Sequence, residues 1–509
     1  MGVSISTEDD SWYIPIGHDS WMDPNGQNLE VPEKLLTCIR TELVFHNAKF
    51  DIHVLKRAGF IIPEIKIYDT MLMSHLIYED RFSHSLEALA SDYLGVHKEK
   101  DLAKTMKAAE WNQMPAFAMA KYAEQDAKLT YDLYYTLKPH FEPYEKVWEI
   151  DERFMLLLQR IEELGIILDV DKCRELQSQS ILSLQQMRDS FGFDPSKPSQ
   201  LHKKLFDNPP NGLGLRVTHK TPTGKPQVNT DFLSQTDHPI CKEILKYREL
   251  SKQLSSYYNS YLELTGESYN RIHPSFKQHG TVTGRLSCAD PNMQQIPRES
   301  PIKGLFLPEI GKQLWEIDYR NIEMRLAAVY SQEDILLETF REEGDVHGIT
   351  AKELGITRQH AKIINFLIIY GGSEVALQKQ LHISYSEAKN ILTKYRKLYR
   401  KLFATMQACK EVAEETGKIR MWSGRERHFR YKSEANKAFN SIIQGGSFEI
   451  VKRSMLDMAP YFDIRNQVHD SVWILVDDES EVRKAEHVMA DWTEEAFGLK
   501  FSVESKQLG

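Results

Sequence analysis

Two aspartates in the C-terminal half of the sequence are the first candidates for chemistry. Asp318 ends an apolar run that is predicted to be a β-strand, and Asp470 stands at the predicted turn of a hairpin over 464–476. We expect both carboxylates to reach one edge of a sheet. Two carboxylates in that position can hold two divalent ions about 3.5–4 Å apart, which act on the attacking and leaving oxygens of a displacement at phosphorus. Mg²⁺ suits such a site because it prefers oxygen ligands and usually keeps substrate phosphates in its shell.

A second group of candidates lies on one predicted helix. Arg358, Lys362, Phe366 and Tyr370 are spaced by four residues. Each is therefore turned about 40° from the one before, and all four share one face about 18 Å long. The two cations suit a triphosphate, and the phenylalanine ring offers a flat surface to a sugar or a base. Each of these residues taken singly is more often structural, so the combination carries the prediction.

The order of these segments resembles the polymerase motifs of the DNA polymerase I family (family A), of bacterial or phage type. Three segments match its polymerase motifs: Asp318-Tyr-x-x-Ile-Glu-x-Arg325, Arg358-x3-Lys-x3-Phe-x3-Tyr-Gly371, and Gln467-Val-His-Asp470. Others match its primer–template and nucleotide segments: Thr283–Ser287 with Asp290–Pro297, Asn440-x3-Gln444-Gly, and Asp345-Val-His347. The resemblance extends over essentially the whole chain.

The resemblance implies template-directed DNA synthesis, in which deoxynucleoside triphosphates extend the 3′ end of a primer on primer–template DNA. It makes Asp318 and Asp470 the catalytic ligands of two Mg²⁺ ions. It makes Arg358, Lys362 and His347 the residues that hold the incoming triphosphate, with Lys362 also placed to protonate the pyrophosphate.

The resemblance also implies contacts to the sugar and to the DNA. Glu323 would close off the 2′ position of the sugar, which excludes ribonucleotides, and would hydrogen-bond to Tyr370, while Phe366 would lie against the nucleotide. The minor groove, whose acceptor pattern is nearly the same for every correct base pair, would be lined by six residues: Arg285, Asn292, Gln294, Asn440, Gln444 and His469.

Two features depart from the family pattern. The family commonly has a glutamate directly after the second metal-binding aspartate, and here the residue is Ser471. We therefore expect weaker metal affinity. The link between Gly355 and Arg358 is also short, which predicts a trimmed fingers region.

The N-terminal region resembles the 3′→5′ exonuclease of the same family. Two segments match its second and third motifs, with Asn47 and Asp51 in the first and Tyr122 and Asp126 in the second. Tyr122 and Asp126 are one helical turn apart, so that a phenol and a carboxylate can meet one site.

The first exonuclease motif has no match. The family carries an Asp-x-Glu on a first, usually central strand, whereas this sequence opens with Met1–Ser6, which resembles the second strand. Glu8, Asp9 and Asp10 fall at the expected hairpin turn and are poor substitutes. We therefore expect impaired proofreading and, without the central strand, unpaired backbone groups. Three alternatives stay open: the chain is a fragment, a separate polypeptide supplies the strand, or the domain is only a scaffold.

Composition limits the classes of protein to consider. A length of 509 residues predicts three or four compact units. The net charge of −9 decides nothing about nucleic acid, because a basic track can coexist with acidic faces. No apolar run approaches the ~18 residues of a membrane span, and no secretory signal is visible. The five cysteines are scattered and form no Cys-x-x-Cys pair, which favours reduced thiols in a cytoplasm and argues against a zinc site. The family resemblance implies that this is the cytoplasm of a bacterium or of a phage-infected cell.

We predict a multi-domain α/β and α+β chain, with a ribonuclease H-like exonuclease domain followed by a right-hand polymerase. The parts are the exonuclease-like domain (1–140), thumb (141–270), palm (271–333 and 426–509) and fingers (334–425). Local patterns predict helices over 147–164, 171–190 and 239–265 and a loop-rich stretch over 195–227. The nearest alternative enzyme is a related single-subunit RNA polymerase, which is disfavoured because Glu323 would exclude ribonucleotides. A non-catalytic primer–template binding factor is the alternative from another class, and the intact Asp318, Asp470, Arg358 and Lys362 argue against it.

Overall fold

The computed structural model of the chain describes residues 2–16, 18, 33–97, 116–265, 270–297 and 301–508. The chain divides into two compact units. One comprises Met1–Leu164, Phe276–Ser287 and Trp315–Lys506, and the other comprises Gly165–Ser275, Cys288–Leu314 and Gln507–Gly509. Within the described ranges, no helix combines the length and the apolar character needed to cross a membrane.

The N-terminal part of the first unit alternates strands and helices, as predicted for an α/β region. Its described elements are β1 (Gly2–Ser6), β2 (Ser11–Pro15), β3 (Glu42–Phe45), α1 (Ala48–Arg57), β4 (Lys66–Asp69), α2 (Thr70–Ile77), α3 (Leu86–Leu89), α4 (Ala116–Phe141) and α5 (Glu145–Leu164).

The strands of this region form two separate ladders among the described residues. β1 and β2 are an antiparallel hairpin with Gly2 opposite Pro15, and the acidic residues between them lie at its exposed turn, as predicted. β3 and β4 are parallel, with Phe45 opposite Asp69. Helix α4 packs on β1, β2 and β3, so it bridges both ladders.

Aromatic packing joins α4 and α5 to the strands. The ring of Trp148 stacks on that of Tyr68 with centroids 5.9 Å apart, and its Nε1 donates to the carbonyl of Ile67 at 3.1 Å. Phe141 meets the same tryptophan edge-on at 5.8 Å. Helix α5 ends just before Gly165, whose φ of +61° suits glycine, and this is where the sequence predicted its end.

The chain continues through short strands and helices, most of them in the second unit. These are β5 (Ile166–Leu168), α6 (Val170–Phe191), α7 (Pro198–Phe206), α8 (Thr230–Gln235), α9 (Pro239–Gln253), α10 (Ser260–Leu264), β6 (Arg271–Ile272), β7 (Ser275–Lys277), β8 (Ser287–Ala289) and β9 (Phe306–Leu307). β5 pairs antiparallel with both β6 and β9.

Two local predictions for this unit hold in outline and differ in detail. The stretch predicted to be loop-rich contains α7, which begins with Pro198 and buries Leu201 and Leu205. Proline is favourable at the first position of a helix, so it started a helix here instead of preventing one. The single helix predicted over 239–265 is divided by a π-helical segment, Leu254–Asn259, between α9 and α10.

The remaining elements belong mainly to the first unit. They are β10 (Gln313–Tyr319), α11 (Ile322–Ser331), α12 (Asp334–Arg341), α13 (Val346–Leu354), α14 (Arg358–Ile369), α15 (Glu374–Leu381), α16 (Tyr385–Leu398), α17 (Arg400–Thr416), β11 (Lys418–Arg420), β12 (Glu426–His428), α18 (Ala438–Met458), β13 (Asp463–Val468), β14 (Ser471–Val476), α19 (Glu479–Phe497) and β15 (Val503–Leu508).

A four-stranded sheet with the order β13-β14-β10-β15 lies at the centre of this part. β14 is buried along its whole length. The hairpin of β13 and β14 closes with Val468 opposite Ser471, which leaves His469 and Asp470 at the turn, as predicted. His469 has a φ of +55°, a left-handed conformation that tight turns require. Helix α18, buried on nearly all sides, packs against α11, α17 and α19.

Candidate active site

Asp318 and Asp470 come together at one edge of the four-stranded sheet. β10 and β14 are neighbours in that sheet, and the backbone N–H of Tyr319 donates to the carbonyl of Asp470 at 3.3 Å. The sequence predicted this convergence. Carboxylate oxygens are the ligands that Mg²⁺ prefers. In the part of the chain that is described, no cluster of three or more His, Cys, Asp or Glu side chains could hold a metal by itself.

Glu323 lies beside this edge, in the first turn of α11. Its side chain is buried and accepts two hydrogen bonds, from Tyr370 Oη to Oε2 at 2.7 Å and from Arg285 Nη2 to Oε1 at 2.6 Å. Burial raises the pKa of Glu323, and the Asp470 carboxylate adds to this, while Arg285 opposes it. The hydrogen bond between Glu323 and Tyr370 that the sequence predicted is present.

Arg285 joins three of the predicted segments. Besides its contact with Glu323, its Nη2 lies 3.9 Å from Asp470 Oδ1, and its Nε donates to the carbonyl of Gln444 at 3.3 Å. The turn before it closes at Gly284, where φ is +81° and a Cβ atom would come within 3.0 Å of Arg425. The arginine is therefore held at the junction of β14, α11 and α18.

Four other residues predicted to contact DNA lie on a helix of the first unit or in a short turn of the second unit. Asn440 and Gln444 are one turn apart on α18, and both are half-buried. Asn292 and Gln294 lie in the second unit, where the exposed Asn292 caps a short turn by accepting from the backbone N–H of Gln294 at 3.1 Å.

The predicted stripe on α14 is present. Arg358, Lys362 and Tyr370 are exposed and Phe366 is half-buried, and the rings of Phe366 and Tyr370 are 6.3 Å apart. Arg358 makes a two-point ion pair with Asp345, with Nε 2.6 Å from Oδ2 and Nη2 3.1 Å from Oδ1. This aspartate caps α13 by accepting from His347 N at 3.2 Å.

His347 lies between this stripe and the interior. Its ring is 5.8 Å from that of Phe366, and only 3% of the residue is exposed. Burial, reinforced by the nearby Arg358 and Lys362 cations, lowers the pKa of His347 to about 4, although Asp345 opposes this. The imidazole is therefore neutral at pH 7.

Ser471, which departs from the family pattern, lies against the carboxylate of Glu316, a residue that sequence analysis did not single out. Its Oγ lies 2.9 Å from Glu316 Oε1 and 2.8 Å from the carbonyl oxygen of Val468, and Trp473 Nε1 donates to Glu316 Oε1 at 3.2 Å. Glu316 precedes Asp318 by two residues on β10, so both side chains lie on one face of the strand. That period-two spacing was the only signal in the sequence.

The exonuclease-like residues lie on α1 and α4, both of which pack on β3. Asp51 is on α1, next to the exposed Asn47, and Tyr122 and Asp126 are half-buried on α4. Burial, together with the neighbouring Asp69 carboxylate, raises the pKa of Asp51 to about 7.

Asp69, which belongs to a segment between the two exonuclease-like motifs that also supports the family resemblance, has a capping role that sequence reasoning did not predict. It is 1% exposed and accepts from four backbone N–H groups: Asn47 at 3.0 Å, Ala48 at 2.8 Å, Met71 at 2.9 Å and Leu72 at 3.4 Å. It therefore caps both α1 and α2. Its position directly before a helix was the available signal for one cap, but the other cap joins residues far apart in the sequence.

Comparison with known proteins finds two matching families. Residues 171–507 match the model of DNA polymerase family A, and residues 3–142 match that of a 3′-5′ exonuclease family. The DNA polymerase I of Treponema pallidum is 33% identical over 470 residues, which cover 84% of this chain and 47% of that protein. The DNA polymerase I of Pseudomonas aeruginosa is 31% identical over 500 residues, which cover 90% of this chain and 54% of that protein. The chain thus spans about half the length of the curated relatives it matches.

A solved structure shares the fold. The POL domain of Pol1 from M. smegmatis, in complex with DNA primer-template and dNTP, superposes with a TM-score of 0.82 and 24% identity, covering 99% of this chain and 91% of that one. The predicted fold, an exonuclease domain followed by a polymerase domain, is confirmed by the family matches and by this likeness.

Proposed function

Because the chain belongs to DNA polymerase family A, we propose that it extends a primer on a DNA template by nucleotidyl transfer. The observation that carries the proposal is the meeting of Asp318 and Asp470 on adjacent strands, with the Arg285–Glu323–Tyr370 network beside them. Asp318 and Asp470 would hold the two Mg²⁺ ions. Bound there, such ions supply the charge that activates the primer 3′ oxygen and stabilises the leaving oxygen.

The exposed face of α14 would hold the incoming deoxynucleoside triphosphate. Arg358 would exchange its ion pair with Asp345 for a phosphate. This exchange costs little, because the arginine side chain is 61% exposed and exposed ion pairs contribute little stability. Lys362 would contact the phosphates one turn further along and protonate the departing pyrophosphate. Phe366 would lie against the nucleotide.

Glu323 would select the sugar. Tyr370 and Arg285 hold its carboxylate from two sides, so the side chain cannot turn away to admit an additional hydroxyl at the 2′ position. The same contacts would keep Tyr370 at the end of α14.

Arg285, Asn440, Gln444 and His469 of the first unit, and Asn292 and Gln294 of the second, would contact the minor groove of primer–template DNA. Minor-groove acceptors are nearly the same for all correct base pairs, so contacts of this kind test the shape of a pair without reading its sequence. A role in replication or repair fits this lack of preference.

The exonuclease-like region would contribute little hydrolysis with the residues described. Asp51 and Asp126 are its candidate ligands, while the Asp69 carboxylate is occupied by four backbone N–H groups. A strand with an Asp-x-Glu pair, in the same chain or on a separate polypeptide, would complete the set of carboxylates.

Primer extension tests the main proposal. We expect the chain to extend a primer with Mg²⁺ and deoxynucleotides, and far less with ribonucleotides. Binding of primer–template without any extension, under conditions in which Asp318 and Asp470 are intact, would instead establish the non-catalytic binding factor. Extension that favours ribonucleotides would instead support the alternative hypothesis, a related single-subunit RNA polymerase.

A further inference from the structure

A chain of buried polar groups runs from α17 to the nucleotide face of α14. It begins at Tyr399, the residue directly before α17, whose Oη lies 2.8 Å from Thr350 Oγ1. Thr350 Oγ1 lies 3.2 Å from the side-chain amide of Asn365, and Asn365 Nδ2 lies 2.8 Å from His347 Nδ1. All four residues are buried. His347 Nε2, at the end of the chain, has no hydrogen-bond partner among the described residues.

The protons of this chain can be assigned by counting donors. Thr350 has one hydroxyl proton, and its Oγ1 donates to the carbonyl of Val346 at 2.8 Å, within the helix. Towards its other neighbours the hydroxyl can only accept. Tyr399 Oη must therefore donate to it, and Asn365, whose Oδ1 and Nδ2 both lie 3.2 Å from it, can donate to it only through Nδ2.

The tautomer of His347 follows from the placement of the Asn365 amide, because its Nδ2, which can only donate, lies 2.8 Å from the ring Nδ1. Asn365 Nδ2 carries two hydrogens, one for Thr350 and one for His347 Nδ1. A ring nitrogen that accepts a hydrogen bond does not carry a proton, so the proton of the neutral imidazole is on Nε2.

We infer that Asn365 is a positioning residue that holds His347 as the Nε2–H tautomer, so that this buried ring presents a neutral hydrogen-bond donor to the triphosphate. The inference rests on the proposed function for the identity of the acceptor. Arg358 and Lys362 already supply two cations near the ring. A third cation would strengthen the binding of the pyrophosphate product as much as that of the triphosphate. A neutral donor adds a directional hydrogen bond to the triphosphate without that stronger binding of the product.

The tautomer can be measured without any activity. The ring ¹⁵N shifts of protein labelled at histidine, with the His347 signals identified by their loss in His347→Gln, distinguish a protonated from an unprotonated nitrogen. At pH 7 we expect a protonated Nε2 and an unprotonated Nδ1. A protonated Nδ1 would overturn the inference even if the chain is an active polymerase. If the protein has the expected tautomer but no polymerase activity, the inference about Asn365 is upheld and the proposed function is wrong.

Kinetics test what the tautomer does. Asn365→Leu replaces the amide by an apolar group of similar size, and we expect it to raise the KM for deoxynucleotides roughly tenfold or more while kcat changes less. In a His347→Leu background the same substitution should have no further effect on KM. His347→Gln, whose amide is also a neutral donor, should retain a lower KM than His347→Leu. If Asn365→Leu raises KM equally with and without His347, Asn365 supports only the fold and the inference is wrong.

Discussion

Tyr370 Oη donates to Glu323 Oε2 at 2.7 Å, although Tyr370 directly follows α14 and Glu323 lies in α11. Arg285 approaches the other oxygen of the same carboxylate. One buried glutamate therefore joins the end of α14, whose exposed face we propose binds the nucleotide, to the segment predicted to contact the primer–template. Any change in this carboxylate should affect both sugar selection and nucleotide addition, but to different extents.

Glu323→Ala should admit ribonucleotides, because it opens space at the 2′ position of the sugar. A single group in a pocket is worth about 1–3 kcal/mol of discrimination, or roughly 10- to 200-fold. The measurement is the ratio of kcat/KM for deoxy- and ribonucleotides in primer extension. Tyr370→Phe is the matched control, since it removes the hydrogen bond but leaves the carboxylate, and it should slow addition more than it changes the ratio. An unchanged ratio in Glu323→Ala would place sugar selection elsewhere.

Asp470→Asn should reduce nucleotide addition roughly a hundredfold or more, because an amide is a poor ligand for the ions that the reaction requires. Primer–template affinity should change little, since phosphate contacts elsewhere position DNA. Asp477→Asn is the control, because Asp477 follows the other end of β14 and is exposed. Single-turnover extension and DNA binding by anisotropy separate the two effects. Addition at a tenth or more of the wild-type rate would contradict the assignment of Asp470 as a ligand.

The predictable part of the site consists of residues whose roles follow from local pattern. Asp318 and Asp470 could be placed because each terminates or separates apolar strands, and the α14 stripe because a spacing of four fixes one helical face. The helix from Arg358 to Ile369, with Tyr370 directly after it, matches that expectation.

The parts that were missed depend on contacts between distant segments. Glu316 and Asn365 are single polar residues in apolar stretches, and nothing next to them in the sequence shows that Ser471 or His347 is their partner. A buried polar group must find a hydrogen-bond partner, but the sequence does not say which. The double capping by Asp69 has the same origin.

Ser471→Glu, which introduces the residue common in the family, should destabilise this protein. It would place a second carboxylate against the buried Glu316, and we expect the midpoint of thermal unfolding to fall by about 5 °C. Glu316→Ser combined with Ser471→Glu keeps one carboxylate at this place and should recover most of the loss. Scanning calorimetry of the wild type and the two variants gives the comparison. If Ser471→Glu alone is as stable as the wild type, Glu316 does not occupy that space.

Acid should destabilise the first unit through His75. The ring is buried, and His75 Nε2 lies 3.0 Å from the carbonyl of Thr281. Burial, together with the nearby Arg425 and His84, lowers the pKa of His75 to about 3, despite Glu79. Between pH 6.5 and 3 the unfolded chain therefore binds more protons, and stability is lost as the pH falls through this window. The loss reaches about 2 kcal/mol at pH 5.

His75→Gln, which keeps a donor for Thr281, should make urea unfolding less sensitive to pH between 7 and 5. His487→Gln is the control, because His487 is exposed and pairs with Asp491 on the surface of α19. Equal pH slopes for the wild type and His75→Gln would show that other groups determine the acid sensitivity.

The last prediction concerns proofreading. Two-metal hydrolysis requires both ions to be held against the phosphodiester, and Asp51 and Asp126 offer two carboxylates for this, while Asp69 is held by four backbone N–H groups. We expect the 509-residue chain to polymerise normally but to degrade single-stranded DNA from its 3′ end at least about a hundredfold more slowly than a version with an added Asp-x-Glu strand.

The added strand, in an N-terminal extension or as a separate peptide, is compared with an Asn-x-Gln version that can pair its backbone but cannot bind metal. Only the acidic version should restore degradation. Efficient removal of mismatched 3′ ends by the chain as given, stopped by Asp51→Ala and by Asp126→Ala, would show that the site has all its ligands, and Glu8, Asp9 and Asp10 would be the first residues to substitute.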